Sequence, residues 1–144
     1  MTPHAHENAK VTEARFRVRY AETDQMGVVY HSNFIIWMEV GRVELLRALG
    51  FSYREMETDG IHLPVAEVKC RFKSPAKYDD MIVVRTRMLN LRRSLIHFVY
   101  EIRREGEETL LAEGESLHIV VGPDMLRCSL PEKYMDPFTR AMGS

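Results

Sequence analysis

The amino-acid sequence predicts one α+β domain, in which a curved antiparallel sheet of five strands wraps around one long, buried central helix. Three observations support this prediction. The patterns run in the order strand, long helix, short helix and then four strands, which is typical of an α+β chain. The long helix is apolar over most of its circumference, as expected of a helix enclosed by other elements. Ala112, Gly114 and Ser116 put small side chains on one strand face, which suits a sheet that passes close to a helix.

Length and composition limit the possibilities. A chain of 144 residues has room for one domain; we expect residues 1–12 to be a flexible tail and residues 13–144 to form the domain. The formal charge of −1 argues against a nucleic-acid partner or a basic membrane-binding face. Cys70 and Cys128 are too few for a disulfide framework or a zinc site. No apolar run approaches the ~18 residues of a membrane span, and no signal peptide is visible. We therefore expect a cytoplasmic protein without stable membrane insertion.

The first strand is predicted to begin at Ala14. Three apolar residues there alternate with three arginines, namely Phe16, Val18 and Tyr20 against Arg15, Arg17 and Arg19. This is the period of a half-buried strand whose arginines face solvent. In the preceding tail, His4 and His6 are the candidate metal ligands. Two histidines on a mobile end make a poor site, so no metal site is predicted.

A loop joins this strand to the long helix. It holds one carboxylate, Asp24, close to Gly27, which permits sharp backbone geometry. Ser32 or Asn33 is expected to cap the helix, and Gly50 suits the left-handed stop after it. A carboxylate followed closely by the exposed N–H groups of a helix start is suited to attack on a carbonyl. The N–H groups and the positive end of the helix dipole would hold the oxygen as it becomes negative.

The rest of the chain is predicted as a short helix, four strands and a C-terminal helix. Ser52 and Glu55 have the capping-box spacing that begins the short helix, and Pro131 is expected at the first position of the last helix. The strands are predicted over 61–74, 81–91, 94–104 and 109–121, with a tight connection at Arg92-Arg93. Such a sheet leaves a long edge, so we expect a homodimer or homotetramer that covers it.

Residues 23–42 read TD-x-x-G-x-x-YH-x-N-F-x-x-W-x-E-x-x-R. This series closely resembles the signature of the hotdog-fold acyl-CoA thioesterases, in the 4-hydroxybenzoyl-CoA thioesterase-like and Tol–Pal-associated branch. The resemblance covers nearly everything from about residue 14 to 138 and continues through His62-Leu63-Pro64, Ser74-Pro75, Tyr78-Asp79-Asp80, Arg92-Arg93-Ser94 and 130–134. It implies the hotdog fold, a five-stranded antiparallel sheet curved around the central helix.

The resemblance also implies roles for particular residues. Asp24 matches the family's catalytic aspartate, and the backbone N–H of His31 matches its oxyanion donor. Tyr30 is grouped with them, as a wall of the site rather than as an acid. Arg92 and Arg93 match a basic pair that contacts the phosphates of coenzyme A. The family builds its active sites at a dimer interface. The remaining residues expected to contact substrate or coenzyme A are Gly27, Val28, Asn33, Pro64 and Ser94.

One departure from the family pattern concerns the substrate. The 4-hydroxybenzoyl-type enzymes carry an aromatic residue where this chain has His31, and the Tyr30-His31 pair resembles the Tol–Pal-associated branch instead. A hydroxybenzoyl substrate is therefore not implied. The ring of His31 is open to two interpretations. Either it holds the loop in place, or it assists proton transfer, since an unperturbed imidazole has a pKa near 6.5.

Several of these residues have structural interpretations as well. An aspartate in a loop often caps a turn, and a pair of arginines on a turn is solvated by default. Glu39 and Arg42 stand three residues apart on the helix and are expected to pair with each other or across a dimer. If the nucleotide does not lie at the arginine pair, the alternative basic residues are Lys69, Arg71 and Lys73. The strand histidines are expected to be structural: His62, His97 and His118.

The sequence therefore favours an acyl-CoA thioesterase, which converts water and an acyl-CoA into a carboxylic acid and coenzyme A. No cofactor is expected, because coenzyme A is part of the substrate. Asp24 either activates water or attacks the carbonyl to form an anhydride, and the sequence leaves both open. The main alternative is a non-hydrolysing acyl-CoA or effector-binding module on the same fold. A hotdog dehydratase is disfavoured, because His31 precedes the helix and Glu39 stands alone on it.

Overall fold

The computed structural model describes residues 9–143, so residues 1–8 of the predicted tail, with His4 and His6, lie outside the described residues. A short 3₁₀ turn, Tyr20–Glu22, precedes the first helix. The element order predicted from the sequence is confirmed. In chain order the strands and helices are β1 (Thr12–Arg17), α1 (Ser32–Ala48), α2 (Tyr53–Thr58), β2 (Val65–Phe72), β3 (Met81–Arg92), β4 (Leu95–Arg104), β5 (Leu110–Ile119) and α3 (Glu132–Ala141).

The five strands form one antiparallel sheet in the order β1-β3-β4-β5-β2. The connection between β3 and β4 is the predicted tight turn, because Arg92 pairs with Leu95 across it. The pairing register shifts once in each of three strand pairs, β2 with β5, β3 with β4, and β4 with β5. Such bulges bend a strand and increase its twist, which helps a sheet to curl around a helix. β1 and β2 are left as the two edges.

Helix α1 lies against the concave face of the sheet and supplies the centre of the core. Two glycines allow the close approach. A Cβ on Gly41 would collide with Thr86 Oγ1 and lie 2.8 Å from Val84 Cγ1, and a Cβ on Gly114 would lie 2.5 Å from Met38 Sδ. The small-residue face predicted for β5 therefore does bring the sheet against the helix. The buried residues of α1 are Phe34, Trp37, Met38, Gly41, Arg42, Leu45 and Leu46.

α1 is buried on the side that faces the sheet but not around its whole circumference. Ile36 is 48% exposed, and Ile35 and Val40 are exposed on the same helix. The sheet covers one side of α1, and no other element covers these three side chains among residues 9–143. The edge strand β2 also leaves apolar side chains exposed, including Val68 and Phe72. The chain therefore presents an apolar surface that its own fold does not bury.

The end of α1 and the start of α2 agree with the sequence prediction, whereas the start of α3 differs from it. Gly50 has φ +98°, and the N–H of Phe51 donates to Leu46 O at 3.3 Å, as in a left-handed stop. Ser52 Oγ accepts the N–H of Glu55 at 3.3 Å and caps α2. Pro131 is the residue before α3 rather than its first helical residue. Its fixed φ suits either position, so the helix simply begins one residue later.

The strand bounds depart most from the sequence prediction at β1 and β2. β1 ends at Arg17, and Tyr20 lies in the 3₁₀ turn, so the predicted strand face stops early. β2 begins at Val65 rather than at residue 61. Pro64 has no N–H to donate to a ladder, and the segment before it pairs only as a bridge between His62 and Val121. Just before β1, the N–H of Lys10 donates to the carbonyl oxygen of Ala141, the last residue of α3, at 2.8 Å.

Three further properties concern residues 9–143 as a group. None of their helices has both the length and the apolar character needed to span a membrane. No group of three or more His, Cys, Asp or Glu side chains among them is arranged to hold a metal ion. Cys70 and Cys128 are both free thiols.

Candidate active site

The loop before α1 is a small hairpin that fixes the position of Asp24. The N–H of Asp24 donates to Val28 O at 2.8 Å, and Gly27 at the tip has φ +81°, the sharp geometry expected there. The exposed carboxylate uses Oδ1 to accept the N–H of Met26 at 2.8 Å and that of Val28 at 3.4 Å. Asp24 therefore does cap its own turn. Its second oxygen, Oδ2, has no hydrogen bond within the described residues and remains available to a water or a substrate.

The start of α1 carries two free backbone N–H groups. His31, directly before the helix, already has helical angles (φ −55°, ψ −33°) and makes no side-chain cap. Ser32 and Asn33 were predicted as caps, and this prediction is wrong. Ser32 is the first helical residue, and the side chain of Asn33 donates to Glu22 O at 2.9 Å. Within residues 9–143 the N–H groups of His31 and Ser32 have no acceptor. They and the positive end of the helix are available to an oxyanion.

His31 also lines an apolar cavity of about 330 Å³. Its ring packs against that of Tyr30 at a tilt of 41°, with 4.3 Å between centroids, and lies edge-on to Phe72 at 6.2 Å. Asp24 is not among the lining residues, so the described chain does not by itself bring the predicted base into this cavity. The cavity joins the helix start to the end of β2, and its other principal walls are Val29, Phe34, Lys73, Ser74 and Pro75.

The remaining predicted site residues fall into two groups. Val28 and the half-exposed Tyr30 belong to the hairpin before α1. Pro64 and Ser94 lie instead at the end of β5, because Pro64 O accepts the N–H of Ile119 at 3.2 Å and Ser94 O accepts that of Val120 at 3.0 Å. The structure therefore gathers the loop residues at one place and the Pro64 and Ser94 group at another.

The two arginines of the β3–β4 turn are exposed, and neither forms an ion pair within residues 9–143. They are Arg92 and Arg93. The alternative basic residues are neutralised by carboxylates: Lys69 lies 3.2 Å from Glu67, and both Arg71 and Lys73 lie within 3.6 Å of Glu113. A second cavity of about 360 Å³ beside them has carboxylates as well as cations in its walls. The β3–β4 turn therefore carries positive charge that no carboxylate in the described part of the chain compensates.

The expected pair between Glu39 and Arg42 does not form within the chain. Arg42 is 8% exposed, and its guanidinium donates to Tyr53 OH at 2.8 Å and to Tyr100 OH at 3.1 Å. Glu39 lies on the exposed side of α1, so its carboxylate does not reach the buried guanidinium. Burial lowers the pKa of Arg42, but the two phenol groups outweigh this and leave it above its ordinary value.

His118 continues the hydrogen-bond chain that starts at Arg42. Tyr100 OH lies 2.6 Å from Ser116 Oγ, which lies 2.8 Å from His118 Nε2. His118 Nδ1 is 3.0 Å from Leu63 O. A carbonyl can only accept, so Nδ1 carries the proton and Nε2 accepts from the serine hydroxyl. Burial lowers the pKa of His118 to about 4, and the charge of Arg42 adds to the effect. The structural role expected of this histidine is consistent with a neutral, fully bonded ring.

Sequence reasoning missed one residue of this region, Glu22. Its carboxylate is 5% exposed and accepts the indole N–H of Trp37 at 2.9 Å. The available signal was weak, because an acid two residues before Asp24 looks like one more polar loop residue. Only the fold brings Trp37, from the second turn of α1, back to it.

Comparison with known proteins finds relatives along most of the chain. A sequence model described as the thioesterase-like superfamily matches residues 18–138. YneP of Bacillus subtilis is 38% identical over 117 residues, which are 81% of this chain and 84% of YneP. The acyl-CoA thioester hydrolase YbgC of Escherichia coli is 32% identical over 123 residues, which are 85% of this chain and 91% of YbgC. The crystal structure of a DHNA-CoA thioesterase from Staphylococcus aureus matches with a TM-score of 0.87 and 30% identity, covering 92% of this chain and 91% of that chain.

Proposed function

The chain belongs to the thioesterase-like superfamily, and we propose that it is an acyl-CoA thioesterase in which Asp24 and the helix start of α1 carry the reaction. Water and an acyl-CoA give a free carboxylic acid and coenzyme A. The relatives named as acyl-CoA thioester hydrolases support this reaction class, and so does the hotdog arrangement of five antiparallel strands around one long helix.

Asp24 is the proposed general base. Its Oδ1 is held by the turn, so the carboxylate has a fixed position, while Oδ2 is free to accept a proton from water. The oxygen of that water then bonds to the thioester carbonyl carbon, the C–S bond breaks, and the thiolate of coenzyme A takes the proton back from Asp24. Direct attack by the carboxylate to form an anhydride is the second route open to the same geometry. Neither route uses a metal or redox cofactor.

The free N–H of His31 is the proposed oxyanion donor, and this group carries the proposal. Within residues 9–143 it has no acceptor, it stands at the positive end of α1, and its residue also lines the apolar cavity. An acyl group in that cavity would place its carbonyl oxygen near a donor that needs no rearrangement. Removing one such donor typically costs about 10²–10³-fold in kcat.

Coenzyme A is proposed to extend towards the β3–β4 turn. Arg92 and Arg93 are exposed without ion-pair partners in the described part of the chain, and paired guanidinium groups suit the phosphates of the nucleotide. Gly27, Val28 and Asn33 on the loop side, and Pro64 and Ser94 on the β5 side, are proposed to border the bound substrate. A cytoplasmic location is proposed as well, since both cysteines are free thiols.

A homodimer or larger oligomer is proposed to complete the site. β2 is an edge strand whose Val65, Val68 and Phe72 are exposed, and Ile36 and Val40 of α1 are exposed too. An unpaired edge beside an apolar surface favours association with a second copy. A partner seated there would also close the cavity at the end of β2, next to His31.

Steady-state hydrolysis of a series of CoA esters, from acetyl to palmitoyl and including benzoyl-CoA, tests the proposal through release of free thiol. Asp24→Asn should keep the fold and lower kcat by about 10²–10⁴-fold on the preferred ester. Asp24→Asn retains an oxygen that can cap the turn, so lost activity would report on the proton acceptor rather than on loop geometry. Binding of acyl-CoA without turnover by the wild type would favour the non-hydrolysing module. Near wild-type turnover by a folded Asp24→Asn would remove Asp24 from the mechanism.

A further inference from the structure

Glu22 is a buried carboxylate between the end of β1 and the Asp24 loop. Its Oε1 accepts the backbone N–H of Arg19 at 2.8 Å, and its Oε2 accepts the indole N–H of Trp37 at 2.9 Å. The guanidinium of Arg19 lies 3.5 Å from Oε2. Burial raises the pKa of this carboxyl, but the donors from Arg19 and Trp37 outweigh burial and leave the pKa below its ordinary value. Each oxygen therefore meets a donor, which suits an ionised carboxylate.

The main chain of the same residue holds the helix start. Glu22 O accepts the N–H of Tyr30 at 2.9 Å and the side-chain N–H of Asn33 at 2.9 Å. Tyr30 and Asn33 stand on either side of His31. Through its side chain and its carbonyl, Glu22 thus bonds to Arg19 just after β1, to the exit of the Asp24 loop and to the first two turns of α1.

We propose that Glu22 is a positioning residue for the thioesterase reaction, which sets the Asp24 loop against the helix start that carries the His31 N–H. This inference rests on the proposed function. Asp24 and His31 stand on different backbone segments, yet both must reach one thioester carbonyl at hydrogen-bond distance. A misplacement of about 1 Å can cost about 10²-fold in rate. Glu22 does not line the cavity, and in this proposal it acts through Arg19, Trp37 and the helix start.

Glu22→Gln tests the proposal, because an amide has one acceptor oxygen where the carboxylate has two. The new NH₂ group faces a donor on one side, either the N–H of Arg19 or the indole N–H of Trp37. We expect kcat to fall by about 10–100-fold with KM within about twofold of wild type, since the proposed acyl and coenzyme A contacts lie elsewhere.

Trp37→Phe supplies the second half of a double-mutant cycle. Phenylalanine keeps most of the ring packing and removes the indole donor, so the amide of Glu22→Gln no longer meets a donor there. Glu22→Gln/Trp37→Phe should therefore regain at least about threefold in kcat over Glu22→Gln alone. Glu44→Gln is the matched control on the same helix. Glu44 pairs with Arg47 at the surface, so this variant should have wild-type kcat.

A merely stabilising role would give a different pattern. Wild-type kcat in Glu22→Gln, measured well below a lowered Tm, would overturn the proposal, and so would a loss of kcat that Trp37→Phe does not relieve. Should Glu22→Gln fail to fold, Trp37→Phe alone carries the test. A lower kcat at unchanged KM supports the inference, and unchanged kcat overturns it. Asp24→Asn separates the failure of the proposed mechanism from the failure of the proposed role of Glu22. Full activity in Asp24→Asn would refute the proposed base, whereas full activity in Glu22→Gln with an inactive Asp24→Asn would refute only the role of Glu22.

Discussion

Protonation of His118 is expected to destabilise the folded chain in weakly acidic solution. The ring is fully buried and its two nitrogens are committed, with Nδ1 donating to Leu63 O and Nε2 accepting from Ser116. A second proton would leave Nε2–H facing a hydroxyl that already points towards it. It would also place a positive charge in the same buried network as Arg42, which is linked to the ring through Tyr100 and Ser116.

The size of this loss of stability follows from the shift in the pKa of His118. The ring has a pKa of about 4 in the folded chain, against its ordinary value of 6.5 in the unfolded one. Between these values the unfolded chain binds more protons, so stability falls as pH decreases. The contribution of the neutral His118 ring to the free energy of unfolding is fully present above about pH 6.5 and is lost by about pH 4. One pKa unit corresponds to about 1.36 kcal/mol, so the loss amounts to about 3 kcal/mol.

Urea unfolding at several pH values between 7.5 and 4.5, at one protein concentration, measures this loss. His118→Asn is the reference variant, because its amide N–H is placed to donate to Leu63 O and it does not titrate. The carboxylates are common to both proteins and largely cancel in the difference between them. We expect the advantage of the wild type in free energy of unfolding to shrink steadily as pH falls. A difference that stays constant over this range would refute the reasoning, because His118 would then not be held neutral by burial.

Replacing Arg92 and Arg93 together by alanine should raise KM for acyl-CoA severalfold with kcat little changed, because contacts to a remote phosphate are made equally in the ground state and the transition state. A truncated pantetheine thioester lacks those phosphates and should be hydrolysed equally by variant and wild type; equal losses on both substrates would make the arginines structural. Light scattering at assay concentration should give a dimer or larger, because the edge of β2 and the apolar side of α1 need cover, and a fully active monomer would contradict a site shared between copies. Gly41→Ala should lower the free energy of unfolding by about 1–3 kcal/mol in urea, because the new methyl collides with Thr86 Oγ1. The control Gly122→Ala meets its nearest atom at an ordinary 3.5 Å and should change little; equal midpoints for the two variants would mean that α1 and the sheet can separate at no cost.

Local sequence patterns predicted most of the fold. Alternation located β3, β4 and β5 to within a few residues, because strands in the middle of a sheet keep one face on the core throughout. Gly50 and the Ser52 cap were predictable for the same kind of reason, since each depends on one residue and its immediate backbone. Edge strands were harder. β2 lost its predicted first residues to Pro64, which pairs from its carbonyl alone.

The site was predictable where it depends on sequence spacing and unpredictable where it depends on tertiary contacts. Asp24 and Gly27 form their turn within a few residues, and the frame around them was recognisable. Asn33 instead bonds to Glu22, eleven residues away, and Arg42 bonds to Tyr100, fifty-eight residues away. The helical spacing of Glu39 and Arg42 favoured a local pair. Burial decided otherwise, because a guanidinium enclosed by the sheet bonds to the hydroxyls it meets there.

A second copy that completes the site would explain two observations at once. Asp24 lies outside the cavity, and the apolar side of α1 is uncovered. The cavity ends at Phe72 and Lys73, at the open edge of the sheet. A partner strand on β2 would wall the cavity there, and its own loop could then stand across the opening from His31. In that arrangement the acyl group would be enclosed by two chains, and the base acting on it would come from whichever loop faces the opening. Mixing inactive Asp24→Asn with Arg92→Ala/Arg93→Ala, assayed at an acyl-CoA concentration well below the KM of the arginine variant, would distinguish these cases, with recovery counted as kcat/KM above that of the arginine variant alone. Activity regained in the mixture would mean that base and nucleotide contact come from different chains, whereas no recovery, despite exchange of subunits, would place both on one chain.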